Sequence, residues 1–309
     1  MRFYLAPMEG ITTYIYRNAF YKHYGFIDTY YTPFVANRKL KSRELADVLP
    51  YNNSALPLVP QILTNQADVF LEIANQLNDM GYTEVNLNLG CPSGTVVAKH
   101  RGAGFLEDPR ELARFLDVIF DKCPIPISIK TRLGIDSLFE WEDLLEMYKH
   151  FPIKELIIHA RTLIQGYNGT PSFEAFKMAM DILPFPLCYN GDINDITSYK
   201  HLLNECPDAQ AVMIGRGAIA NPELPRLLTE DKNNQINSFD INTFCNFHNE
   251  LLDGYRDYMS GDQPVLYKMK ELWTFWSRNI DIDKKTLKKI RKSQNISVYQ
   301  SIVDEYIQD

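Results

Sequence analysis

"EVNLNLGCPSGTVVAKHRGAGFLEDPRELARFLDVIFDKCPIPISIKTRL", residues 84–133, contains one complete copy of the unit that decides the fold. Residues 84–90 alternate apolar and polar side chains and stop at Gly90-Cys91-Pro92, as a strand does where it runs into a loop. Asp108 then offers an N-cap, and Pro109 takes the first helical position, where its missing N–H costs nothing. An amphipathic stretch runs on to Cys123, and residues 125–133 read as a second strand. Two strands joined through a helix in this way lie parallel.

The same alternation extends in both directions. Residues 2–8, 28–35, 56–62, 84–90, 125–133, 155–161, 185–192 and 211–217 read as eight strands with helix-like segments between them. Residues 66–81 are typical, with Val69, Ile73, Leu77 and Met80 on one face and Gly81 at the stop. Eight such units predict an α/β fold, a (β/α)8 TIM barrel, which needs about 250 residues. A doubly wound open sheet would carry a glycine-rich turn after its first strand, where this chain has "APMEGIT", residues 6–12. From about residue 237 the strand signals fade into amphipathic stretches at 243–259, 264–280, 284–292 and 297–307. The expected division is a catalytic barrel over 1–235 and a small C-terminal helical domain over 240–309, with the polar segment 229–240 as linker.

Bulk composition narrows the classes. The 309 residues are 45% apolar, enough for a large core. Five cysteines, an odd number without a CxxC pair or metal-type His/Cys spacing, predict reduced thiols and no metal site. No apolar run reaches membrane-spanning length, and the start "MRFYLAPMEG" is too short and too soon interrupted by Glu9 for a signal peptide, so the expected address is cytoplasmic. A formal charge of −7 argues against general nucleic-acid binding while permitting a local basic patch.

In such barrels the reactive groups sit at the C-terminal ends of the strands. Those ends carry Pro7-Met8-Glu9, Gln61, Asn88 with Cys91, Lys130 with Arg132, His159 with Arg161, Asn190-Gly191-Asp192 and Gly215-Arg216-Gly217. Taken singly, each has an ordinary structural explanation as a satisfied buried polar group. Collected at one rim they do not. Lys130 is the sharpest, because an unpaired ammonium inside an apolar strand is costly and an anionic ligand relieves it. The glycines of "NGDI" and "IGRG" match a barrel phosphate site, to which Arg216 adds a bidentate clamp. The combination points to a planar phosphorylated cofactor over the barrel mouth, with flavin mononucleotide (FMN) the natural candidate. Cys91 stands apart from Cys123, Cys188, Cys206 and Cys245, which lie in or beside apolar segments, because it ends a strand beside Lys99, His100 and Arg101.

"APMEG", "NLNLGCPS", "IKTRLG", "HARTLIQGY", "NGDI" and "VMIGRGAIANP" occur in the order and spacing of the tRNA-dihydrouridine synthases, which the chain resembles over residues 2–222. That resemblance implies FMN held by Pro7, Met8, Glu9, Gln61, Lys130, His159, Asn190, Gly191, Asp192, Gly215 and Arg216. It implies Asn88, Arg132 and Tyr167 near a uridine, Cys91 as the acid that protonates it, NADPH as reductant and tRNA as partner, with no obligate protein partner. His100-Arg101 and Phe105 around the Gly-Ala-Gly turn depart from the smaller residues the pattern leads one to expect.

The helical tail is similar to that family's RNA-binding domain, with looser motifs. Residues 240–309 hold 10 basic and 11 acidic side chains, so the tail is not basic on average. Its positive charge gathers in "KKTLKKIRK" as Lys284, Lys285, Lys288, Lys289, Arg291 and Lys292, a cluster suited to RNA phosphates through counterion release. Lys99 and Arg101 are expected to face RNA as well. "LWTFW", residues 272–276, reads as core packing. Two alternatives remain open at this point: a small-molecule FMN oxidoreductase of the dihydroorotate or old-yellow-enzyme kind, and a noncatalytic RNA-binding flavoprotein.

Overall fold

The computed structural model describes residues 1–230 and 239–308; positions 231–238 of the expected linker, and Asp309, lie outside the described residues. Nine short parallel strands form one sheet: β1 Arg2–Leu5, β2 Thr29–Tyr31, β3 Leu58–Val59, β4 Gln61–Ile62, β5 Val85–Leu89, β6 Ile127–Arg132, β7 Leu156–His159, β8 Leu187–Asn190 and β9 Ala211–Ile214. They pair in the order β3-β2-β1-β9-β8-β7-β6-β5-β4. The two outermost strands are the halves of the single expected strand 56–62, so the sheet curls round on itself into a barrel.

Pro60 divides that strand because it has no N–H to donate to a ladder. Before it, Leu58 and Val59 pair with Tyr30 and Tyr31 of β2; after it, Gln61 and Ile62 pair with Asn86 and Leu87 of β5. The expected eight strands are therefore present as nine segments, and most are shorter than their sequence patterns because the apolar run continues beyond the last paired residue.

Period-two alternation sorts the barrel side chains. Phe3, Leu5, Leu87, Ile129 and Ile158 join the main core beneath the helices, while Tyr4, Tyr31, Ile157, Cys188 and Met213 cluster within the barrel. Three consecutive strands carry polar residues on that inner face: Gln61 on β4, Asn86 and Asn88 on β5, Ser128, Lys130 and Arg132 on β6. The interior is thus apolar on one side and polar on the other.

The helix Pro109–Lys122 begins as its sequence requires. The Asp108 carboxylate accepts from the N–H groups of Arg110 and Glu111 at 3.1 and 3.0 Å, and Leu112, Phe115, Leu116 and Ile119 are buried. In the helix Ala67–Asp79 the buried stripe is Val69, Phe70, Ile73, Ala74 and Leu77, with Met80 only partly covered at the C-cap.

The tail comprises the helices Ile241–Tyr258, Asp262–Trp276, Lys284–Lys292 and Ile296–Gln308. Its core is continuous with that of the barrel. Phe247 lies edge-on to Tyr16 at 5.6 Å and to Tyr24 at 5.1 Å, both close to the first barrel helix, Tyr14–His23. Trp273 and Trp276 are fully buried, 5.5 Å apart, as expected of core residues. Among the described residues no helix is long and apolar enough to cross a membrane.

A buried polar triad closes the tail. Trp273 Nε1 donates to Tyr299 Oη at 2.8 Å, so the Tyr299 hydroxyl proton is free to go to His248 Nε2, 2.6 Å away. His248 Nδ1–H then donates to Asn249 Oδ1 at 3.0 Å. Burial drives the His248 pKa down to about 4 against the opposing pull of the Asn249 hydrogen bond, Asp304 and Asp253. A folded pKa below the unfolded value of ~6.5 means that this stability is whole above pH ~6.5 and is lost as the pH falls toward 4. It amounts to about 3 kcal/mol. The urea midpoint is therefore expected to fall between pH 7 and 4.5, and His248→Gln to flatten that slope; equal slopes for both proteins would refute the assignment.

Candidate active site

Two cavities open at the C-terminal ends of the strands. One, of about 280 Å³, is lined by residues that include Met8, Lys130, Asn190, Asp192, Gly215, Arg216 and Phe275. The other, of about 600 Å³, is lined by residues that include Glu9, Gln61, Asn88, Cys91, Arg132 and Gly166. Pro7, Met8, Lys130, His159 and Tyr167 border both, so the two form one trough across the barrel mouth. The strand-end residues selected by sequence line it, except Arg161, which is buried beside it.

Under the larger cavity runs a chain of neutral hydrogen bonds. Asn86 Nδ2 donates to Ser128 Oγ at 2.9 Å, Gln61 Nε2 to Asn86 Oδ1 at 2.8 Å, and Asn88 Nδ2 to Gln61 Oε1 at 2.7 Å. Asn88 Oδ1 in turn accepts from the N–H groups of Gly90 and Cys91 at 3.0 and 2.9 Å. Asn88 thus shapes the turn that presents the thiol, a role the sequence did not disclose.

Arg132 is fully buried and braces the same turn. Its Nε donates to Gly90 O at 2.9 Å, and its Nη1 to Thr162 O and Gly166 O at 2.9 and 3.0 Å. The loop after Cys91 then folds back tightly. Gly102 has φ +56°, and a Cβ there would stand 2.9 Å from Cys91 O; a Cβ on Gly104 would stand equally close to Val97 O. Phe105 fits this loop by burying its ring 5.2 Å from Phe115.

Burial pushes the Cys91 thiol above its usual range, aided by Glu9, while a backbone hydrogen bond from Ser93, Lys130 and Arg132 pull less strongly the other way. The nearby loop cations bond elsewhere: Arg101 Nε donates to Asn65 Oδ1 at 3.3 Å, His100 Nδ1 lies 3.4 Å from a Glu107 carboxylate oxygen, and Lys99 is exposed. The thiol is held protonated.

Lys130 Nζ donates to Asn190 Oδ1 at 2.9 Å, and no carboxylate pairs with it among the described residues. Burial, with Arg132 adding to it, lowers its pKa to about 8. His159 is buried among Lys130, Arg132, Arg161 and Arg216, and burial first and these charges second hold its pKa well below the usual value, leaving it neutral. Its Nε2 accepts from Arg161 Nη1 at 3.4 Å, which assigns the proton to Nδ1.

Asp192, at φ +41°, directs both carboxylate oxygens to arginines: Oδ1 accepts from Arg216 Nη2 at 2.6 Å and Oδ2 from Arg161 Nη2. Burial works to raise its pKa, but the two arginines outweigh it and hold the carboxyl below its usual range. Its side chain aims Arg216. Glu9 likewise pairs with Arg43 at 2.8 Å. Tyr167 stands half-exposed between the two halves of the trough, with the Arg216 guanidinium 4.6 Å over its ring and Arg132 at 5.7 Å.

The donor set fits a flavin phosphate. A cation without a carboxylate partner, a neutral histidine donor and amide side chains suit an electron-rich heterocycle, and Arg216 beside Gly215 suits an anion. A Cβ on Gly215 would meet Ala6 Cβ at 3.4 Å and Met8 Sδ at 3.8 Å, ordinary contact distances, so Gly215 lies packed against the strand-end residues of β1. Lys284, Lys285, Lys288, Lys289, Arg291 and Lys292 are exposed on their helix and line neither half of the trough. Sequence reading missed Phe275, which reaches the smaller cavity from the tail. Its signal was phase: within "LWTFW" it falls off the buried stripe of Val265, Met269, Leu272 and Trp276.

A family model described as dihydrouridine synthase (Dus) matches residues 4–298. A probable tRNA-dihydrouridine synthase of Staphylococcus epidermidis is 31% identical over 229 residues, covering 71% of this chain and 69% of that one. A probable tRNA-dihydrouridine synthase of Staphylococcus aureus is 27% identical over 314 residues, covering 98% and 92%. Among solved structures, morphinone reductase aligns with a TM-score of 0.54 at 12% identity over 79% of this chain and 88% of its own, a likeness of fold alone.

Two outcomes follow from the turn around Cys91. Iodoacetamide modification of Cys91, mapped by mass spectrometry, is expected to rise only at a pH above that of an ordinary thiol. Asn88→Ala leaves two N–H donors without their acceptor, so it is expected to cost about 1–3 kcal/mol in urea unfolding and to speed that modification. Wild-type stability and an unchanged rate would show that Asn88 does not hold the turn.

Proposed function

The chain belongs to the dihydrouridine synthase family, and on that footing we propose that it reduces the C5–C6 bond of uridines in tRNA, using FMN in the trough and NADPH as reductant. The observation that carries this reading is the single trough that joins the Cys91 thiol, whose pKa burial raises, to a half-buried Lys130 without a carboxylate partner among the described residues and to an arginine-flanked glycine end.

FMN, once reduced by NADPH, supplies when bound the hydride that adds to C6 of the uracil. The protein does the rest. Pro7, Met8, Gln61, Lys130, His159 and Asn190 form the cofactor's bed, while Gly191, Gly215 and Arg216 take its phosphate, with Asp192 aiming Arg216. Lys130 Nζ and His159 Nδ1–H would be the donors available to hold the flavin ring when it is bound. Hydride addition at C6 leaves carbanion character at C5, and Cys91 Sγ–H gives that carbon its proton. The resulting thiolate regains a proton from solvent. The raised thiol pKa matches this task, because an acid must hold its proton until the base arrives.

Asn88 and Arg132 fix the Cys91 turn from below, and Tyr167 offers an aromatic face to the substrate ring. A stacked uracil must be turned out of the RNA to reach Cys91. RNA grip is assigned to the exposed cluster from Lys284 to Lys292, with Lys99 and Arg101 at the mouth, and on this reading residues 1–235 form the catalytic unit and 240–309 the tRNA-binding unit. Its helix presents six cations outward while Leu287 and Ile290 face the tail.

The absorption spectrum of the purified protein, followed by anaerobic NADPH and then unmodified tRNA, tests the whole reading. Flavin bands are expected to bleach with NADPH and return with tRNA; bands that bleach and ignore tRNA would move the assignment to a small-molecule oxidoreductase. Cys91→Ala is expected to keep the first half-reaction and lose at least 100-fold in the second, within the usual range for removing a general acid. Replacing Lys285, Lys288 and Lys289 together by Glu is expected to weaken tRNA binding and flatten its salt dependence. Unaltered affinity would place RNA elsewhere.

A further inference from the structure

We propose that Phe275, carried on the tail helix Asp262–Trp276, is part of the cofactor site: it covers the anion-binding end of the trough, so that flavin binding and docking of the tail are one coupled event. This rests on the FMN reading above. The tail then serves the cofactor as well as the RNA.

Phe275 lines the smaller cavity together with Asp192, Asn194, Gly215 and Arg216, and among the described residues of the tail it is the one to do so. The helix that bears it is buried along Val265, Leu266, Met269, Leu272, Trp273 and Trp276. Phe275 lies outside this stripe; it is partly buried, packs against the edge of the core and also lines the cavity. The Arg278 guanidinium stands 5.3 Å over that ring from the next turn and holds it from the solvent side. An apolar cover here has a direct electrostatic effect: excluding water lowers the local dielectric, which strengthens the attraction of Arg216 for an anion.

The same helix is fastened to the barrel two turns earlier. Lys268 Nζ donates to Gly10 O at 2.9 Å, and Gly10, at φ +75°, follows Glu9 in the loop that borders the Cys91 half of the trough. Residues seven apart share a helix face about 10 Å in length. One face of this helix therefore meets the smaller cavity through Phe275 and, through Lys268, the loop that carries Glu9 to the larger one. Because coupling between binding events is reciprocal, a flavin phosphate held under Phe275 must tighten the docking of the tail as much as the docked tail tightens the flavin.

The test uses the full-length protein stripped of flavin. First, amide hydrogen exchange of the wild type is measured with and without FMN; exchange over residues 262–276 is expected to slow when FMN is added, and no change there would overturn the coupling. Second, dissociation constants for FMN and for riboflavin, which lacks the phosphate, are measured by flavin fluorescence in the wild type, Phe275→Ala and Phe275→Leu. Phe275→Ala is expected to weaken FMN about tenfold and riboflavin far less, with Phe275→Leu between. Equal losses for both ligands, or an unchanged FMN constant in a variant with native circular dichroism, would overturn the assignment. A wild type that takes up neither ligand would instead refute the FMN reading itself, and that result is distinct from the others.

Discussion

The turn that carries Cys91 depends on one run of neutral hydrogen bonds inside the barrel, from Ser128 through Asn86, Gln61 and Asn88 to the backbone N–H groups of Gly90 and Cys91. Buried amides without partners are expensive, so each link is held in place by the cost of breaking the next. The chain crosses β6, β5 and β4, and β4 is only two residues long with its backbone ladder interrupted by Pro60. Side chains there add a second cross-strand connection beside the short backbone ladder of β4 with β5. The position of the thiol is thereby fixed from the floor of the barrel upward, without contact with the exposed loop cations.

Charge follows a complementary plan on the other half of the mouth. Arg161 and Arg216 converge on Asp192, and the neutral His159 lies among four cations. Among the described residues, the positive charge at this end exceeds what the carboxylate of Asp192 can neutralise, and Lys130 bonds an amide oxygen and no carboxylate. Such a surplus is unfavourable in an empty protein and favourable with a bound anion. Stability has been given up locally for affinity. The structure compensates in the tail and the first barrel helix, where aromatic rings pack without a break from Tyr16 and Tyr24 through Phe247 to Trp276.

That continuous core also gives the tail its standing. A tail attached only by a linker would swing relative to the barrel. Here the helix Asp262–Trp276 is anchored through Lys268 to Gly10 and through Phe275 to the trough, while the basic helix Lys284–Lys292 caps its own start with Asp283 and tucks Leu287 and Ile290 inward. A cation cluster on so fixed a support stands at a constant offset from Cys91.

The sequence by itself determined the barrel, because period-two and helical alternation are local, and each unit between residues 84 and 133 repeats signals that neighbouring residues alone produce. It also placed Gln61, Asn88, Cys91, Lys130, His159 and Arg216 at one rim, since in a parallel barrel all strand ends face the same way. Which of these groups is free for a ligand was decided only by tertiary structure. Asn88 is occupied with the Cys91 turn, Arg132 with three carbonyls and Asp192 with two arginines, because hydrogen-bond partners come from strands and loops 2 to 42 residues away. Phe275, far along the chain from Gly215, reaches the trough only because the tail helix docks on the barrel. Pattern specifies which face a residue takes; the packing of distant segments decides what it touches there.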